Sequence, residues 1–306
     1  MYDILIIGAG PAGLSAAIYG CKALKKVLVL EALSYGGQII STDSVENYPA
    51  FENISGYDLA TKMYNQAKNF GAEIVFEKAI DIIDKETYKE VVTSKNTYQA
   101  KTVILATGAD SRKLGIDREE ELLGKGVSYC ATCDGSFYKG KDVAVIGGGN
   151  TALEETIYLA NLANKVYLIH RRDEFSADAS YIRKVKKLEN VEIIFNSNVT
   201  KLFGRGKLEG INVTDKENNT KKLDVAAIFV AVGHIPENQN FAKIVELDDA
   251  GYVVAGDDCH TNIEGIFVAG DNRVKMLRQL VTATSDGAIA ATEAIKYLNI
   301  NKEIEQ

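Results

Sequence analysis

One structural pattern occurs twice in this sequence, at positions 139 residues apart. In the first copy, an apolar run at residues 3–7 leads into a glycine-rich loop at residues 8–13. An alanine-rich helical stretch follows from about Pro11 to Leu24, and a second apolar run lies at residues 27–30. Apolar runs of this length are typical of parallel strands that are buried on both faces. The pattern therefore predicts a βαβ unit whose glycine loop joins a strand to a helix.

The second copy repeats this order of elements. Its apolar runs lie at residues 142–146 and 166–169, its loop lies at residues 147–152, and its helical stretch extends to about Ala163. A repeat of this length is a duplicated domain unit rather than a short-period array. The shift places Gly8 on Gly147, Gly10 on Gly149, Gly13 on Ala152 and Glu31 on His170.

The duplication predicts an α/β fold with two Rossmann-like, doubly wound dinucleotide-binding domains. Two further apolar runs, at residues 103–108 and 227–233, occupy similar places relative to the two copies, whereas a run at residues 265–271 has no counterpart in the second copy. We therefore expect the second domain to be inserted into the first. The expected first domain comprises residues 1–114 and 244–306, and the expected second domain comprises residues 115–243.

The first loop has the residues that a dinucleotide needs. Gly8 allows the tight turn, Gly10 lets the backbone approach a pyrophosphate, and Gly13 lets the helix pack closely on the strand. The helix N-terminus then presents free amides to the phosphates. Glu31 lies at the end of the second strand, where an acid accepts hydrogen bonds from ribose hydroxyls. A tight turn without a ligand is the weaker interpretation.

The second loop differs at the position of this acid. Where the first copy has Glu31, the second has His170, followed by Arg171 and Arg172. An acid there would repel a ribose 2′-phosphate, whereas two arginines bind it through charge-assisted hydrogen bonds. The pattern favours NADPH over NADH at the second site. The alternative is that both arginines lie on a solvated loop.

Cys130 and Cys133 form a C-x-x-C motif followed by Asp134. Two thiols at this spacing close a disulfide with little backbone movement, and the motif lowers the pKa of one thiol. A zinc site would need two more ligands at suitable spacing, but Cys21 and Cys259 are isolated, so we expect no metal. Asp134 is placed to transfer a proton to a departing thiolate, although an aspartate here could equally cap a helix.

Charge and hydropathy exclude several classes of partner. The 306 residues include 35 Lys and Arg against 42 Asp and Glu, a net charge of −7, which disfavours nucleic acid and anionic membranes as partners. Residues 4–21 carry no charge, but glycines and Pro11 interrupt them, so they do not predict a membrane span. Asp3 occupies a place where a secretory signal carries a basic residue. We expect a cytoplasmic protein.

Together these motifs resemble the low-molecular-weight thioredoxin reductases, a family of FAD- and NAD(P)-linked disulfide oxidoreductases, along nearly the whole chain. The Cys-Ala-Thr-Cys sequence inside the second domain is the most specific element, because dihydrolipoamide and glutathione reductases carry their cysteine pair in the first domain. Shorter matches also carry the resemblance, namely Gly36-Gly37-Gln38, Val45-Glu46-Asn47-Tyr48-Pro49, Ala106-Thr107-Gly108-Ala109, Gly270-Asp271 and Arg278-Gln279.

The resemblance implies a homodimer with one FAD per subunit and a nicotinamide cofactor bound by the inserted domain. The residues expected at FAD are Gly8, Gly10, Pro11, Ala12, Gly13, Glu31, Gly36, Gly37, Gln38, Asn47, Thr107, Gly108, Gly270, Asp271, Arg278 and Gln279. The residues expected at NADPH are Gly147, Gly149, Asn150, Thr151, Ala152, His170, Arg171 and Arg172.

The resemblance also implies the reaction. NADPH would reduce the flavin, the flavin would reduce the Cys130–Cys133 disulfide, and the dithiol would reduce thioredoxin. Cys133 would be the thiol next to the flavin, Cys130 would attack thioredoxin, and Asp134 would handle a proton.

One departure from the family pattern concerns the electron donor. The family carries a third arginine three residues after the second, and this chain has Ser176 there. Losing one charge-assisted contact would cost roughly 1.5–3 kcal/mol, so NADH or ferredoxin are alternative donors. The intact loop with Gly147 and Gly149 still favours NADPH. A peroxiredoxin-type partner, or a flavin-bound sensor without catalysis, are further alternatives, and the intact cysteine pair argues against the sensor.

Overall fold

The computed structural model describes residues 1–42 and 44–304. The chain divides into two compact units, and the second is inserted into the first. Unit 1 consists of Met1–Asp110 and Ile235–Gln306, and unit 2 consists of Ser111–His234. The expected boundaries lay four and nine residues further along the chain, outside the paired strands that connect the units.

Strands and helices alternate at the start of each unit, and a run of consecutive strands follows in both. The segment that opens unit 1 contains β1 (Tyr2–Ile7), α1 (Pro11–Lys22), β2 (Val27–Glu31), α2 (Gly56–Asn69), β3 (Glu73–Phe76), β4 (Ala79–Asp84), β5 (Lys89–Thr93) and β6 (Thr97–Leu105), with a 3₁₀ turn at Gly37–Ser41. The connecting strand β7 (Ala109–Ser111) follows.

Unit 2 contains β8 (Val127–Ser128), α3 (Ala131–Asp134), β9 (Asp142–Ile146), α4 (Asn150–Ala160), β10 (Lys165–Ile169), α5 (Ala179–Val185), β11 (Val191–Ile194), β12 (Ser197–Phe203), β13 (Gly210–Asp215), β14 (Thr220–Leu223) and β15 (Ala227–Val230). The return to unit 1 contains β16 (His234–Pro236), which pairs with β7, then β17 (Ile266–Val268) and α6 (Leu280–Ile304). Two further 3₁₀ turns lie at Gly135–Tyr138 and Gln239–Phe241.

The main sheet of unit 1 has the strand order β3-β2-β1-β6-β5-β4, and β17 pairs with β6. β1, β2, β3, β6 and β17 run parallel, whereas β5 runs antiparallel to β6. β6 is long enough to pair with β5 along Thr97–Ala100 and with β17 from Val103 to Leu105. The parallel part therefore has the order β3-β2-β1-β6-β17, which is that of a Rossmann unit.

The main sheet of unit 2 is fully parallel, with the order β11-β10-β9-β15-β8. Its first four places match those of unit 1, and the predicted pair of Rossmann-like domains is confirmed. The fifth place is taken by Val127–Ser128, which precedes the duplicated segment, so the run at residues 265–271 does have a spatial counterpart. A two-residue strand is too short to be recognised from an apolar run.

Both faces of each parallel sheet are covered, which explains the continuous apolar runs. In unit 1, Ile4 and Ile6 pack on the side of α1, α2 and α6, whereas Leu5 and Ile7 join a second buried cluster on the other face. In unit 2, Val145 packs on the side of α4, and Ile146 packs towards the antiparallel sheet β12-β13-β14.

The uncharged residues 4–21 belong to β1, the first loop and α1. Across residues 1–42 and 44–304, no helix is both long enough and apolar enough to span a bilayer. α1 ends at Lys22, two residues before the expected end, because Leu24 adopts a left-handed φ of 58°.

The last helix covers the first one. An ideal Cβ on Gly287 of α6 would lie 2.1 Å from the carbonyl oxygen of Ala12 in α1, so only glycine allows the two helices to approach this closely. This contact joins the end of the chain to the helix that starts at the first glycine loop.

We expect Gly287→Ala to destabilise the protein by about 1–3 kcal/mol through this overlap. The sign of this change in unfolding free energy is informative, because alanine normally stabilises a helix interior by about 1 kcal/mol relative to glycine. Chemical denaturation of the FAD-saturated protein measures the difference. Gly149→Ala is the matched control, since an added Cβ there meets no atom within 4 Å, and equal stability of both variants would contradict the prediction.

Candidate functional site

The first glycine loop is formed by backbone contacts that exclude larger side chains. Gly8 has a φ of +111°, and a Cβ on it would lie 2.2 Å from the carbonyl oxygen of Ala106 in the loop after β6. A Cβ on Gly13 would lie 1.9 Å from the carbonyl oxygen of Gly8. A Cβ on Gly10 would meet only the Cα of Gly37, at 3.9 Å, which is an ordinary van der Waals contact. Thus Gly8 and Gly13 are required for packing, and Gly10 leaves the start of α1 accessible.

Glu31 is held at this loop by two amides. Its Oε2 accepts a hydrogen bond from the Ala9 N–H at 2.8 Å, and its Oε1 accepts one from the Leu33 N–H at 3.0 Å. Each carboxylate oxygen keeps a further lone pair for a ribose hydroxyl. The carboxylate is therefore already oriented at the end of β2, beside the open Gly10.

The turn at Gly36 and Gly37 lies against the same loop. The Gly36 N–H donates to the Ala9 carbonyl at 2.7 Å, and a Cβ on Gly37 would lie 3.3 Å from the Cα of Gly10. Both glycines have positive φ, +100° and +57°. Gln38 follows them, and its side-chain amide donates to the Ala109 carbonyl and the Asp110 carboxylate.

The return segment of unit 1 reaches the start of α1. A Cβ on Gly270, whose φ is +97°, would lie 3.0 Å from the Cβ of Ala12. The next residue, Asp271, has a buried Oδ1 with no hydrogen-bond partner among the described residues. Burial raises the pKa of Asp271, although the positive charges of Lys275 and Arg278 act in the opposite direction. A buried acceptor that lacks a hydrogen bond, and lies 3.9 Å from the Lys275 ammonium, fits a ligand that brings hydroxyl groups.

A buried ionic cluster supports this segment. Asp286 on α6 accepts hydrogen bonds from Arg273 at 2.9 Å and from Lys275 at 2.8 Å, and it also accepts from the Gly270 N–H at 3.0 Å. Burial opposes ionisation of Asp286, but the hydrogen bonds from Arg273 and Lys275 lower its pKa. No sequence pattern identified Arg273, Lys275 or Asp286, because Asp286 meets the two cations only in the folded structure.

The other residues expected at FAD also lie around this segment. The Arg278 guanidinium stacks on the Tyr252 ring, 4.1 Å from its centroid, and donates to the carbonyl of Asp271. The Asn47 side chain donates to Gln279 at 3.1 Å. Thr107 and Gly108 follow β6. The Thr107 hydroxyl donates to Asn238 at 3.1 Å, and the Gly108 carbonyl accepts from the Glu237 N–H.

Two buried asparagines, Asn238 and Asn272, connect the loop after β6 to the return segment of unit 1. Asn238 donates to the carbonyls of Gly251 and Asn272, and the Asn272 side chain donates to the Leu105 carbonyl and to Thr107. Neither asparagine belongs to a recognisable motif. In unit 1, Pro11 and Ala12 form the first turn of α1, directly after the loop that contains Gly8 and Gly10.

The second glycine loop repeats the first with one difference. A Cβ on Gly147, whose φ is +154°, would lie 2.3 Å from the carbonyl oxygen of Ala231, whereas a Cβ on Gly149 has no neighbour within 4 Å. Ala152 occupies the position of the third glycine of the first loop. It is buried, and its Cβ would lie 2.8 Å from a Cβ on Gly147. A close-packed first position and an open second position again leave a helix start exposed, here that of α4 at Asn150 and Thr151.

His170 covers this loop. A Cβ on Gly148 would lie 2.2 Å from the His170 ring, which is buried. Its Nε2 has no hydrogen-bond partner within residues 1–42 and 44–304. Burial lowers the pKa of His170, and the charges of Arg172 and Arg171 lower it further. His170 is therefore neutral near pH 7 and packs on the loop as a ring rather than as a cation.

Arg171 and Arg172 are exposed, and their guanidinium groups make no hydrogen bond or ion pair with any described residue. Ser176 is fixed differently, because its N–H donates to the Gly148 carbonyl at 2.8 Å and its hydroxyl reaches the same oxygen at 3.3 Å. Asn150 bonds to Asp178 through both side-chain atoms. The loop therefore has two unpaired cations beside it, and a serine bonded to its backbone.

Cys130 and Cys133 form a disulfide, with 5.3 Å between their Cα atoms. Cys130 precedes the short helix α3 as its N-cap residue, and Cys133 lies within the helix. The Cys130 carbonyl accepts from the N–H groups of Cys133 and Asp134 at 3.3 and 3.1 Å. The Ser128 hydroxyl accepts from the Cys130 N–H at 3.0 Å. Both cysteines are partly exposed, which is the accessibility that thiol exchange requires.

Glu155 on α4 lies against this turn, and sequence reasoning did not identify it. Its Oε1 accepts a hydrogen bond from the Ala131 N–H at 3.1 Å, and its Oε2 is buried without a partner among the described residues. Burial raises the pKa of Glu155 to about 7. The only sequence signal was a pair of acids in an otherwise uncharged helix, which does not distinguish the half-buried Glu155 from the exposed Glu154.

The remaining cysteines lie apart from the pair. Cys21 and Cys259 are free and buried, and burial raises the pKa of Cys21 and raises that of Cys259 to about 12. Within the described part of the chain, no three His, Cys, Asp or Glu side chains are arranged to hold a metal ion.

Three comparisons place this chain among known proteins. A family model described as pyridine nucleotide-disulphide oxidoreductase matches residues 2–287. The thioredoxin reductase of Listeria monocytogenes serovar 1/2a is 44% identical over 305 residues, covering 99% of this chain and 96% of the relative. The thioredoxin reductase of Peptoclostridium acidaminophilum is 45% identical over 311 residues, covering 99% of each.

Solved structures agree with these relatives. The crystal structure of thioredoxin reductase from Streptococcus pyogenes MGAS5005 matches with a TM-score of 0.93 and 39% identity, covering 98% of both chains. Thioredoxin reductase from Giardia duodenalis matches with a TM-score of 0.93 and 37% identity, covering 97% of this chain and 99% of that one.

The pKa of Glu155 leads to a stability prediction. In the unfolded chain this carboxyl loses its proton near pH 4–5, but in the folded chain it does so near 7. Stability is therefore lost as pH rises through this window, by up to about 3 kcal/mol. We expect Glu155→Gln to unfold at a higher denaturant concentration than the parent at pH 8, and at a similar one at pH 4.5. Glu189→Gln, which removes an exposed acid from the same unit, is the control. A gain in stability of Glu155→Gln that is the same at pH 4.5 and pH 8 would contradict the raised pKa of Glu155.

Proposed function

Because this chain belongs to the thioredoxin reductases of the pyridine nucleotide-disulphide oxidoreductase family, we propose that it reduces the disulfide of a thioredoxin with electrons from NADPH. FAD would connect the nicotinamide to the Cys130–Cys133 disulfide. The closed disulfide between Cys130 and Cys133, in a chain with two glycine loops, is the observation that carries this proposal.

The residues of unit 1 fit FAD. The open position at Gly10 gives a pyrophosphate access to the amides at the start of α1. Glu31 would accept hydrogen bonds from ribose hydroxyls, and Asp271 Oδ1, which makes no hydrogen bond among the described residues, would accept one from a hydroxyl of the ribityl chain. When bound, FAD supplies a carrier that accepts a hydride and passes electrons on to a disulfide.

The residues of unit 2 fit NADPH. Gly149 leaves the start of α4 open to a pyrophosphate, and the unpaired guanidinium groups of Arg171 and Arg172 are placed to bind a 2′-phosphate. His170 keeps the loop covered without adding a charge of its own, since burial lowers its pKa. Ser176 supplies a backbone contact to the loop in place of a third cation.

The cysteine pair performs thiol–disulfide exchange. Two electrons and one proton convert the Cys130–Cys133 disulfide to one thiol and one thiolate, and Asp134 would exchange that proton. The Cys130 thiolate attacks one sulfur of the thioredoxin disulfide, and the other thioredoxin sulfur leaves as a thiolate. The Cys133 thiolate then attacks Cys130 in the mixed disulfide, which restores the original bond and releases reduced thioredoxin.

We also propose that the chain acts as a homodimer in the cytoplasm, and that the units bind their cofactors separately, FAD in unit 1 and NADPH in unit 2. The resemblance to thioredoxin reductases supports the dimer and the separate cofactor sites. Sedimentation equilibrium of the FAD-bound protein tests the dimer directly, since a monomer mass at micromolar concentration would exclude it.

The NADPH assignment predicts a charge-dependent preference. Arg171→Ala and Arg172→Ala each remove a charge-assisted contact, so we expect the KM for NADPH to rise roughly 10-fold to 100-fold, with little change in the KM for NADH. Anaerobic titration of the flavin absorbance with each nicotinamide measures the binding step. Lys187→Ala is the control, because Lys187 is an exposed cation of the same unit.

The donor alternatives give distinct outcomes in this titration. Equal reduction by NADPH and NADH would show that Ser176 has removed the preference, and Ser176→Arg should then restore it. Reduction by neither, in a protein that dithionite reduces, would exclude NADPH and indicate a ferredoxin-type donor.

The dithiol mechanism predicts a separation of two steps. Cys130→Ser and Cys133→Ser should both abolish NADPH-dependent reduction of thioredoxin, because neither variant can complete the exchange. NADPH should still reduce the flavin in both, since unit 1 and the second glycine loop are unchanged. Stopped-flow absorbance follows the flavin, and the insulin precipitation assay follows thioredoxin.

Cys21→Ala is the matched control, since Cys21 is a free, buried cysteine of unit 1. It should retain turnover. Normal thioredoxin reduction by Cys130→Ser would disprove the thiol mechanism.

A further inference from the structure

We propose that Glu155 is a positioning residue for the redox pair, whose carboxyl holds the amide next to Cys130 and takes up a proton when the Cys130–Cys133 disulfide is reduced. The proposal rests on the proposed function only in treating this pair as the working couple. It concerns the equilibrium of the pair itself, and it needs neither thioredoxin nor a nicotinamide.

Three of the four hydrogen-bonded amides at this turn have neutral partners. The N–H of Cys130 donates to the Ser128 hydroxyl, and those of Cys133 and Asp134 donate to the Cys130 carbonyl. The fourth, the N–H of Ala131, donates to the carboxyl of Glu155 at 3.1 Å. Glu155 is thus the side chain of α4 that fixes the start of the turn bearing both sulfurs.

The carboxyl has a place for a proton. Oε1 accepts the Ala131 amide, and Oε2 is buried and makes no hydrogen bond within the described part of the chain. A proton on Oε2 would therefore leave the contact to Ala131 intact. A buried carboxyl with one satisfied and one unsatisfied oxygen changes its protonation when a charge appears nearby.

Reduction supplies such a charge. The disulfide gains two electrons, the S–S bond breaks, one sulfur takes a proton and the other remains a thiolate. If Glu155 stayed ionised, two negative charges would then lie at one short turn in a partly desolvated site, which is unfavourable. A second proton from water, bound at Oε2, leaves one thiol, one thiolate and a neutral carboxylic acid.

The neighbouring charges do not remove this effect. α4 packs against α3, α5, β9 and β10, and among the charged groups of the described residues only Glu154, on the same helix, shifts the pKa of Glu155, raising it. No cation contributes to that shift. The titratable groups of the neighbouring elements and of the adjoining 3₁₀ turn are Asp134, Tyr138, Asp142, Lys165, Tyr167, Tyr181, Arg183 and Lys184.

The test measures the dithiol–disulfide equilibrium of the FAD-bound protein against dithiothreitol between pH 6 and pH 9. Rapid alkylation traps the thiols, and the peptide of residues 126–139, bounded by Lys125 and Lys139, contains only Cys130 and Cys133. Mass spectrometry of this peptide reports the pair without interference from Cys21 and Cys259. The ratio of the reduction constants of parent and Glu155→Gln cancels the pH dependence of dithiothreitol.

We expect the reduction constant of the parent, divided by that of Glu155→Gln, to rise at least about threefold as pH falls from 9 to 6. The reason is that the parent takes up a proton on reduction that the variant cannot. Glutamine keeps an oxygen that accepts the Ala131 amide, so a purely structural role would leave the ratio independent of pH. Glu189→Gln should give the parental constants at every pH.

Glu154→Gln provides a second arm that does not depend on the folding of Glu155→Gln. The negative charge of Glu154 raises the pKa of Glu155. Removing that charge should therefore move the inflection in the pH dependence of the reduction constant to lower pH. A ratio that stays constant with pH, or an inflection that Glu154→Gln does not move, would overturn the proposal. Loss of thioredoxin turnover with these constants as expected would count against the proposed function alone.

Discussion

Both units depend on one constraint, the close approach of two loops that follow neighbouring parallel strands. In unit 1 these loops follow β1 and β6, and in unit 2 they follow β9 and β15. At Gly8 and at Gly147 the backbone lies so near a carbonyl oxygen, of Ala106 and of Ala231 respectively, that no Cβ can be present. Each contact fixes where the following helix starts and therefore where its free amides point. We propose that both cofactors bind at these two helix starts, because the sheet faces are filled with apolar side chains.

Once the helix starts are in place, small differences in side chains determine which ligand each loop fits. In unit 1, Glu31 is held by two amides and keeps acceptors for hydroxyl groups. In unit 2, the buried His170 occupies the corresponding place, and two exposed arginines follow it. The same backbone thus presents an acceptor in one copy and two cations in the other. The duplicated framework supplies geometry, and the residue at the end of the second strand supplies chemical selectivity.

The fold was largely predictable from the sequence because glycine spacing and apolar runs are local features. The two-residue strand Val127–Ser128 was not, since only its pairing with β15 defines it. The site divides in the same way. Motif residues such as Gly149 and Cys133 could be identified, whereas Asn238, Asp286 and Glu155 could not. Their importance arises from burial and from partners distant in sequence, and a single chain does not reveal either before it folds.

The insertion of unit 2 has a consequence for biosynthesis. Unit 2 is one continuous stretch, Ser111–His234, so all of it has been translated before β17 and α6. Until then the C-terminal half of β6 has an unpaired edge and α1 lacks the helix that covers it. A nascent chain with an exposed edge strand and an uncovered apolar helix is a substrate for chaperones. The inserted unit can complete its folding during translation, whereas the unit that surrounds it must wait for the end of the chain.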